Sequence, residues 1–207
     1  MLNIFTATKL NVLVTGFEPF GNSKVNSSWE TAVRVRQLAP IDMKLEILQL
    51  PVDFVHAGEM MREVLNSKTI DVLVMLGQRG KGQSIDIERI AVNLMDSSMS
   101  DNAGFCPTDQ IILATGESAY FSNLQVKVLR DAVLKKGISA QVSNSAGLYV
   151  CNSTYYNVLD EIYKYSLPVK AVFVHLPMIS DEFTVDILAD SVMTIIENSI
   201  NKNNKKK

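Results

Sequence analysis

Apolar residues along this chain alternate between short continuous runs and runs with helical spacing. The continuous runs predict buried strands at residues 11–15, 45–50, 71–76 and 170–175. Between them apolar positions recur every three or four residues, which predicts helices that start near residues 27, 53, 122, 151 and 183. Strands that alternate with helices predict an α/β fold, a three-layer α/β/α sandwich around a twisted, largely parallel but mixed sheet.

Two of the predicted helices have recognisable start signals. Ser27 with Glu30 three residues later forms a capping box, and Ser122 with Gln125 is expected to cap a later helix that ends at Gly137. The side chains expected to face the core are Trp29, Ala32 and Val33 in the first helix and Leu124, Val128 and Ala132 in the second.

The segment from Ile85 to Asn93 starts as a strand, but its apolar face switches across Glu88-Arg89. Such a switch indicates a bulge or a departure from the sheet, and bulges often direct side chains into active sites. Two interpretations of Glu88 stay open: a site residue, or a surface acid paired with Arg89, which this segment alone slightly favours. Residues 96–118 show no periodicity, which predicts a functional cover or a mobile loop.

Composition narrows the class of protein. At 207 residues, 47% of them apolar, the chain can build one substantial domain, predicted at 11–200 between a loose extension at 1–10 and a disordered basic tail at 201–207. With 20 basic against 22 acidic residues, neither nucleic acid nor a membrane surface is an expected partner. Without a signal peptide or a membrane span, the expected location is the cytoplasm.

Cys151 is the candidate nucleophile because it stands between a small-residue turn and a helix-like run. Tyr155, Val158, Leu159 and Ile162 give that run its spacing. The unpaired N–H groups of a helix N-terminus favour a thiolate over a thiol. The alternative is that Cys151 is a small buried apolar residue. Cys106, in the unpatterned loop, is interpreted as incidental, and the two cysteines lack metal-ligand spacing, so no metal is expected.

A cysteine nucleophile needs a base, and the chain has two histidines. His56 falls in a helix turn as a solvated residue, whereas His175 ends a buried strand and is the better candidate. Glu88 is the best placed acid to orient the imidazole of His175.

The loop after the first strand resembles a phosphate-binding loop, but it has Asn22 where a lysine is needed. Phe17 and Phe20 in this loop suggest a wall for a flat, neutral ligand. The alternative is that the two rings simply fill the end of the core.

Several separated motifs, in one order from about residue 11 to 178, closely resemble the pyroglutamyl peptidase I family. They are Val-Thr-Gly-Phe-Glu-Pro-Phe-Gly (14–21), Val-Asn-Ser-Ser-Trp-Glu (25–30), Gly-Gln (77–78), Ile-Glu-Arg-Ile-Ala-Val-Asn (87–93), Asp-Asn (101–102), Ala-Tyr-Phe-Ser-Asn-Leu (119–124), Ser-Asn-Ser-Ala-Gly-Leu-Tyr-Val-Cys-Asn (143–152) and Val-His-Leu-Pro (174–177).

The resemblance implies a single-domain fold and a cofactor-free, often oligomeric cysteine peptidase that removes N-terminal pyroglutamyl residues from peptides. It implies a triad of Cys151, His175 and Glu88. The implied substrate pocket contains Phe17, Phe20, Asn26, Gln78, Tyr149 and Val150.

The chain departs from the family pattern around these positions. The departures are Arg79, Lys81, Ser98, Tyr149, Ser153 and Met178. They leave open an alternative in which the protein is a weak or inactive homologue that binds pyroglutamyl or other lactam ends.

Overall fold

The elements of the fold follow the predicted alternation of strands and helices. The computed structural model describes residues 9–80 and 82–200, so the tail at 201–207 and most of the predicted extension lie outside the described residues. Along the chain the elements are β1 (Leu10–Phe17), α1 (Ser27–Leu38), β2 (Met43–Leu50), α2 (His56–Ser67), β3 (Val72–Arg79), β4 (Ile85–Glu88), β5 (Ile90–Val92), β6 (Ala119–Phe121), α3 (Val126–Lys135), β7 (Ala140–Ser143), α4 (Val150–Tyr165), β8 (Lys170–Pro177) and α5 (Val185–Ile200).

A six-stranded mixed sheet forms the middle layer, in the order β2-β1-β3-β8-β4-β7. Strands β2, β1, β3 and β8 are parallel, whereas β4 pairs antiparallel with β8 and parallel with β7. The face switch at Glu88-Arg89 is where the chain leaves this sheet, because β4 ends at Glu88 and β5 pairs with β6 in a separate antiparallel ribbon. The predicted departure from the sheet is therefore confirmed.

Helices cover both faces of the sheet, as the continuous apolar strands require. Helices α1, α3 and α5 pack on one face, and α2 and α4 pack against each other on the opposite face. In α4 the four predicted core positions, Tyr155, Val158, Leu159 and Ile162, are all buried. The predicted single-domain α/β/α fold is confirmed, and none of the helices in the described residues is long and apolar enough to cross a membrane.

Two details of the predicted helices are wrong. The N-cap of α1 is Asn26, whose side chain accepts from the Ser28 N–H. The helix buries Ala32 and Val35 rather than Val33. Likewise α3 starts only at Val126, and the Ser122 hydroxyl donates to the Ala171 carbonyl instead of capping the helix. The buried positions of α3 are therefore Val126, Leu129 and Val133. In both helices the packing partner, not the cap signal, sets which side faces inward.

Candidate active site

Cys151 is the second residue of α4 and is half-buried. The turn before it contains Gly147, whose φ of 76° lies in the left-handed region, and Tyr149 in extended conformation at the N-cap. The N–H groups of this first turn have no carbonyl partner within the helix, so they create a positive environment around the thiol. The predicted placement of Cys151 at a helix N-terminus is confirmed.

Strand pairing brings His175 and Glu88 together beneath α4. Residues on β8 alternate between faces, and His175 has the parity of Ala171 and Phe173, which pack on the α2–α4 side. Glu88 on β4 lies opposite Phe173, so its side chain is the diagonal neighbour of His175. The His175 Nδ1 atom is 2.7 Å from Glu88 Oε1, and the two residues are 5% and 0% exposed. The interpretation of Glu88 as a surface acid is therefore wrong.

Gly77 makes room for the thiol over the sheet. This glycine is the register partner of His175 on the adjacent strand β3. A Cβ atom at position 77 would come within 2.9 Å of Cys151 Sγ and 2.8 Å of the Phe173 ring. Only a residue without a side chain lets Cys151 Sγ rest against this strand, beside the histidine.

The ionisation of His175 reflects these neighbours. Burial alone would lower the pKa of the imidazole, but the charge and hydrogen bond of Cys151 and those of Glu88 outweigh burial and raise the pKa to about 9. At neutral pH the folded protein therefore favours a protonated His175 between two acidic groups. This arrangement can supply a nucleophilic sulfur together with a proton donor.

A small pocket opens beside Cys151. Its lining residues are Phe17, Phe20, Asn26, Val52, Gln78, Tyr149, Val150 and Cys151. Every predicted pocket residue is among them. Val52 was missed by sequence analysis, and its only signal is its position directly after the carboxyl end of β2, where ligands collect in α/β sheets.

The two amide side chains of the pocket are fixed in different ways. Both ends of the Asn26 amide are hydrogen-bonded within the protein, since its oxygen accepts from Ser28 and its nitrogen donates to the Glu18 carbonyl. Gln78 is held on one side only, because its Oε1 accepts from the Ser27 N–H at 2.8 Å. Its Nε2 donates to no acceptor within the described part of the chain, so this amide is the polar group free to meet a ligand.

The long segment at 96–118 is anchored against the pocket wall. Asp101 accepts from the Phe54 N–H, and Asn102 donates to Glu18 and to the Pro19 carbonyl. The Tyr149 hydroxyl donates to the Ser100 carbonyl at 3.0 Å, and burial raises its pKa to about 12. Residues 100–102 of this segment are therefore fixed to the backbone around Glu18 and Phe54 and to the pocket residue Tyr149.

The remaining candidate residues lie apart from this cluster. Cys106 is exposed and donates to the Ser97 carbonyl. His56 begins α2, with 69% of its side chain exposed, and pairs with Asp53. No group of three or more histidine, cysteine, aspartate or glutamate side chains within residues 9–80 and 82–200 could hold a metal ion.

Comparison with known proteins matches this chain and its fold to one class, the cysteine peptidases of the pyroglutamyl peptidase family. The family model described as pyroglutamyl peptidase matches residues 10–200. The pyrrolidone-carboxylate peptidase of Thermococcus onnurineus is 39% identical over 175 residues, covering 84% of this chain and 86% of that protein. The protein of the same name from Brachyspira hyodysenteriae is 34% identical over 200 residues, covering 92% and 99%.

Solved structures give the same result. Pyroglutamyl peptidase I from Bacillus amyloliquefaciens superposes with a TM-score of 0.87 at 29% identity, covering 96% of this chain and 99% of that chain. A mutant pyrrolidone carboxyl peptidase from Pyrococcus furiosus superposes with a TM-score of 0.88 at 31% identity, covering 93% and 99%. The chain therefore belongs to the pyroglutamyl peptidase family.

Proposed function

We propose that this protein hydrolyses the amide bond that follows an N-terminal pyroglutamyl residue of peptides. The observation that carries the proposal is the buried His175–Glu88 pair beside the half-buried Cys151, at the mouth of a mostly apolar pocket. Membership of the pyroglutamyl peptidase family supports the same activity.

The pocket suits a flat, uncharged lactam. Phe17, Phe20 and Tyr149 provide aromatic walls, with the rings of Phe20 and Tyr149 6.3 Å apart. The lactam carbonyl needs a donor, and Gln78 Nε2 is available for that contact. Apart from the sulfur of Cys151, the described residues that line the pocket carry no charge, which disfavours a free glutamate with its charged amine and carboxylate.

In the proposed reaction, Cys151 Sγ attacks the pyroglutamyl carbonyl carbon, and N–H groups of the first turn of α4 stabilise the resulting oxyanion. The intermediate collapses by breaking the C–N bond, while His175 gives its proton to the leaving amine. A thioester remains on Cys151. His175, now neutral, takes a proton from water, which attacks the thioester and releases pyroglutamate and the thiolate. Glu88 holds the imidazole through Nδ1 and compensates its positive charge.

A homo-oligomeric state and a cytoplasmic location stay predictions from the sequence. Peptides that begin with pyroglutamate are the proposed substrates, and neither nucleic acid nor membrane is a proposed partner.

The test is release of a chromophore from a pyroglutamyl-amide substrate by the purified protein, with Cys151→Ala measured beside it. We expect turnover by the wild type and its loss in the variant and after thiol alkylation. A folded wild-type protein that gains thermal stability from pyroglutamate but turns over no substrate would contradict the proposal. That result would instead favour the lactam-binding homologue to which the departures at Tyr149 and Ser153 point.

A further inference from the structure

Arg79 stands at the end of β3 next to the His175–Glu88 pair. It lies two residues after Gly77, so it projects on the same face of the sheet as the cluster, with 37% of its side chain exposed. Its guanidinium pairs with the Asp86 carboxylate, lies 3.7 Å from Glu88 Oε1 and donates to the Ser145 carbonyl at 3.3 Å. Arg79 therefore contacts two acidic residues of β4 and the loop that leads to Cys151.

Asp86 makes this contact electrostatically important. It is 1% exposed and is the register partner of His175 on the antiparallel strand. Its other partners, the Ser84 hydroxyl and the Gln141 amide, are neutral. Two carboxylates are thus buried two positions apart on one strand, an arrangement that is costly without a compensating cation. Within residues 9–80 and 82–200, the Arg79 guanidinium lies against both carboxylates, and His175 binds Glu88.

We propose that Arg79 is a positioning residue that sets the basicity of His175 by sharing the charge of Glu88 and Asp86. Arg79 approaches Oε1, the same Glu88 oxygen that His175 binds. Its positive charge, close to that oxygen, reduces the pull of the oxygen on the imidazole proton. The bond to Ser145 fixes the guanidinium relative to the loop before α4. This inference rests on the proposed function only for its effect on catalysis.

The charged and titratable groups around His175 decide the direction of the effect. On α4, Cys151 interacts with His175 directly, and Tyr155 lies near Glu88. Asp86 and Glu88 belong to β4, and Arg79 belongs to β3. Burial raises the pKa of the Tyr155 hydroxyl above its ordinary value, so this group stays neutral. Removing the arginine charge would leave the acidic groups less compensated. The protonated form of His175 would then be favoured over a wider pH range.

NMR measures the titration midpoint of His175 directly. The chain contains two histidines, so few resonances need to be assigned. In protein labelled with ¹⁵N-histidine, we expect the His175 resonance of Arg79→Met to titrate roughly one pH unit above that of the wild type. Arg79→Lys should stay close to the wild-type midpoint, and Arg79→Met with Asp86→Asn should return towards it. His56, on α2, is the internal reference and should not shift.

A His175 midpoint that is the same in folded Arg79→Met and wild type would overturn the inference. If Arg79→Met does not fold, Asp86→Asn, which keeps the arginine, is compared with the double variant, which lacks it. Equal His175 midpoints in these two proteins would also overturn the inference. In the peptidase assay the alkaline limb of kcat/KM should follow the NMR midpoint. Lack of turnover by the wild type would contradict the proposed function while leaving the NMR comparison valid.

Discussion

Two regions of this molecule contain the same local pair, a histidine whose Nδ1 lies 2.7 Å from a carboxylate oxygen. One pair, His175 and Glu88, lies beneath α4, at the carboxyl end of β8 and the end of β4. The other, His56 and Asp53, lies at the start of α2. In the first pair the histidine side chain is 6% exposed, and in the second it is 69% exposed.

The difference shows that the acid–histidine bond alone does not make a site. Asp53 also accepts from the backbone N–H groups of Val55 and His56, so its main task is to cap α2. Within the described part of the chain Glu88 accepts from no backbone N–H, and its Oε1 atom contacts both His175 and Arg79. Burial, a neighbouring thiol and an adjoining pocket are what distinguish the first pair.

The largest expected difference between the two pairs is the change in kcat/KM when each histidine is replaced by alanine. His175→Ala should lower kcat/KM for a pyroglutamyl-amide by a factor on the order of 10³ or more, because both proton transfers lose their carrier. His56→Ala is the matched control and should keep wild-type activity. Comparable losses in the two variants would remove the distinction between the two pairs.

Removing the carboxylate charge from each pair should give a smaller difference. Glu88→Gln keeps the shape but loses the charge that stabilises the imidazolium, and we expect kcat/KM to fall roughly 10²-fold. Asp53→Asn should leave kcat/KM unchanged and lower the free energy of unfolding by about 1 kcal/mol or less through a weaker cap. Full activity in Glu88→Gln would show that the orientation of His175 does not depend on this charge.

The pH dependence of stability should also separate the two histidines. The folded-state pKa of His175 is raised to about 9, above an unfolded value near 6.5. The resulting stabilisation is fully present below about pH 6.5 and is lost as pH rises through 9, and it amounts to about 3 kcal/mol. The pKa of His56 is also raised, chiefly by its hydrogen bond to Asp53, but that side chain is exposed and screened by solvent.

Urea unfolding at several pH values between 6 and 10 measures this contribution. The loss of stability with rising pH should shrink in His175→Ala and persist in His56→Ala. An unchanged pH dependence in His175→Ala would contradict the assignment of the raised pKa.

The smallest expected effect concerns the pocket wall. Tyr149→Phe keeps the ring that packs on Phe20 and Phe54 but loses the hydrogen bond to Ser100. We expect KM to change by a factor of about 5 or less, with kcat almost unchanged, since a single neutral hydrogen bond contributes about 1 kcal/mol. A large fall in kcat would instead give the hydroxyl a part in the chemistry.

Much of this fold could be predicted from local patterns. Strands β1, β2, β3 and β8 are continuous apolar runs. The predicted core positions of α4 are buried, but so is every residue of that helix from 152 to 162, so the periodicity alone does not set its orientation. The predictions for α1 and α3 were wrong only in part, because Trp29, Ala32 and Leu124 do pack against the core. Val35 and Leu129 are buried instead of Val33 and Val128, since the neighbouring helices and strands select these positions and a cap signal does not report them. The order of the strands likewise depends on long-range pairing.

The sequence indicated which residues could form the candidate site, but not how they are arranged. Two histidines and one well-placed cysteine leave few combinations, and the face switch marked Glu88. The burial of Glu88 depends on the antiparallel pairing of β4 with β8, which brings it to His175, 87 residues away in the sequence. The positions of Val52 in the pocket and of Asp86 beside Arg79 also depend on contacts between distant parts of the chain, so no local pattern predicts them.

The most direct test of the central claim is to trap the acyl-enzyme. Wild-type protein mixed with a pyroglutamyl-amide and quenched in acid within the first turnover should carry a pyroglutamyl thioester on the peptide that contains Cys151, detected by mass spectrometry, and Cys151→Ala should carry none. A pyroglutamyl group found on Cys106, or sustained hydrolysis by Cys151→Ala, would contradict the account.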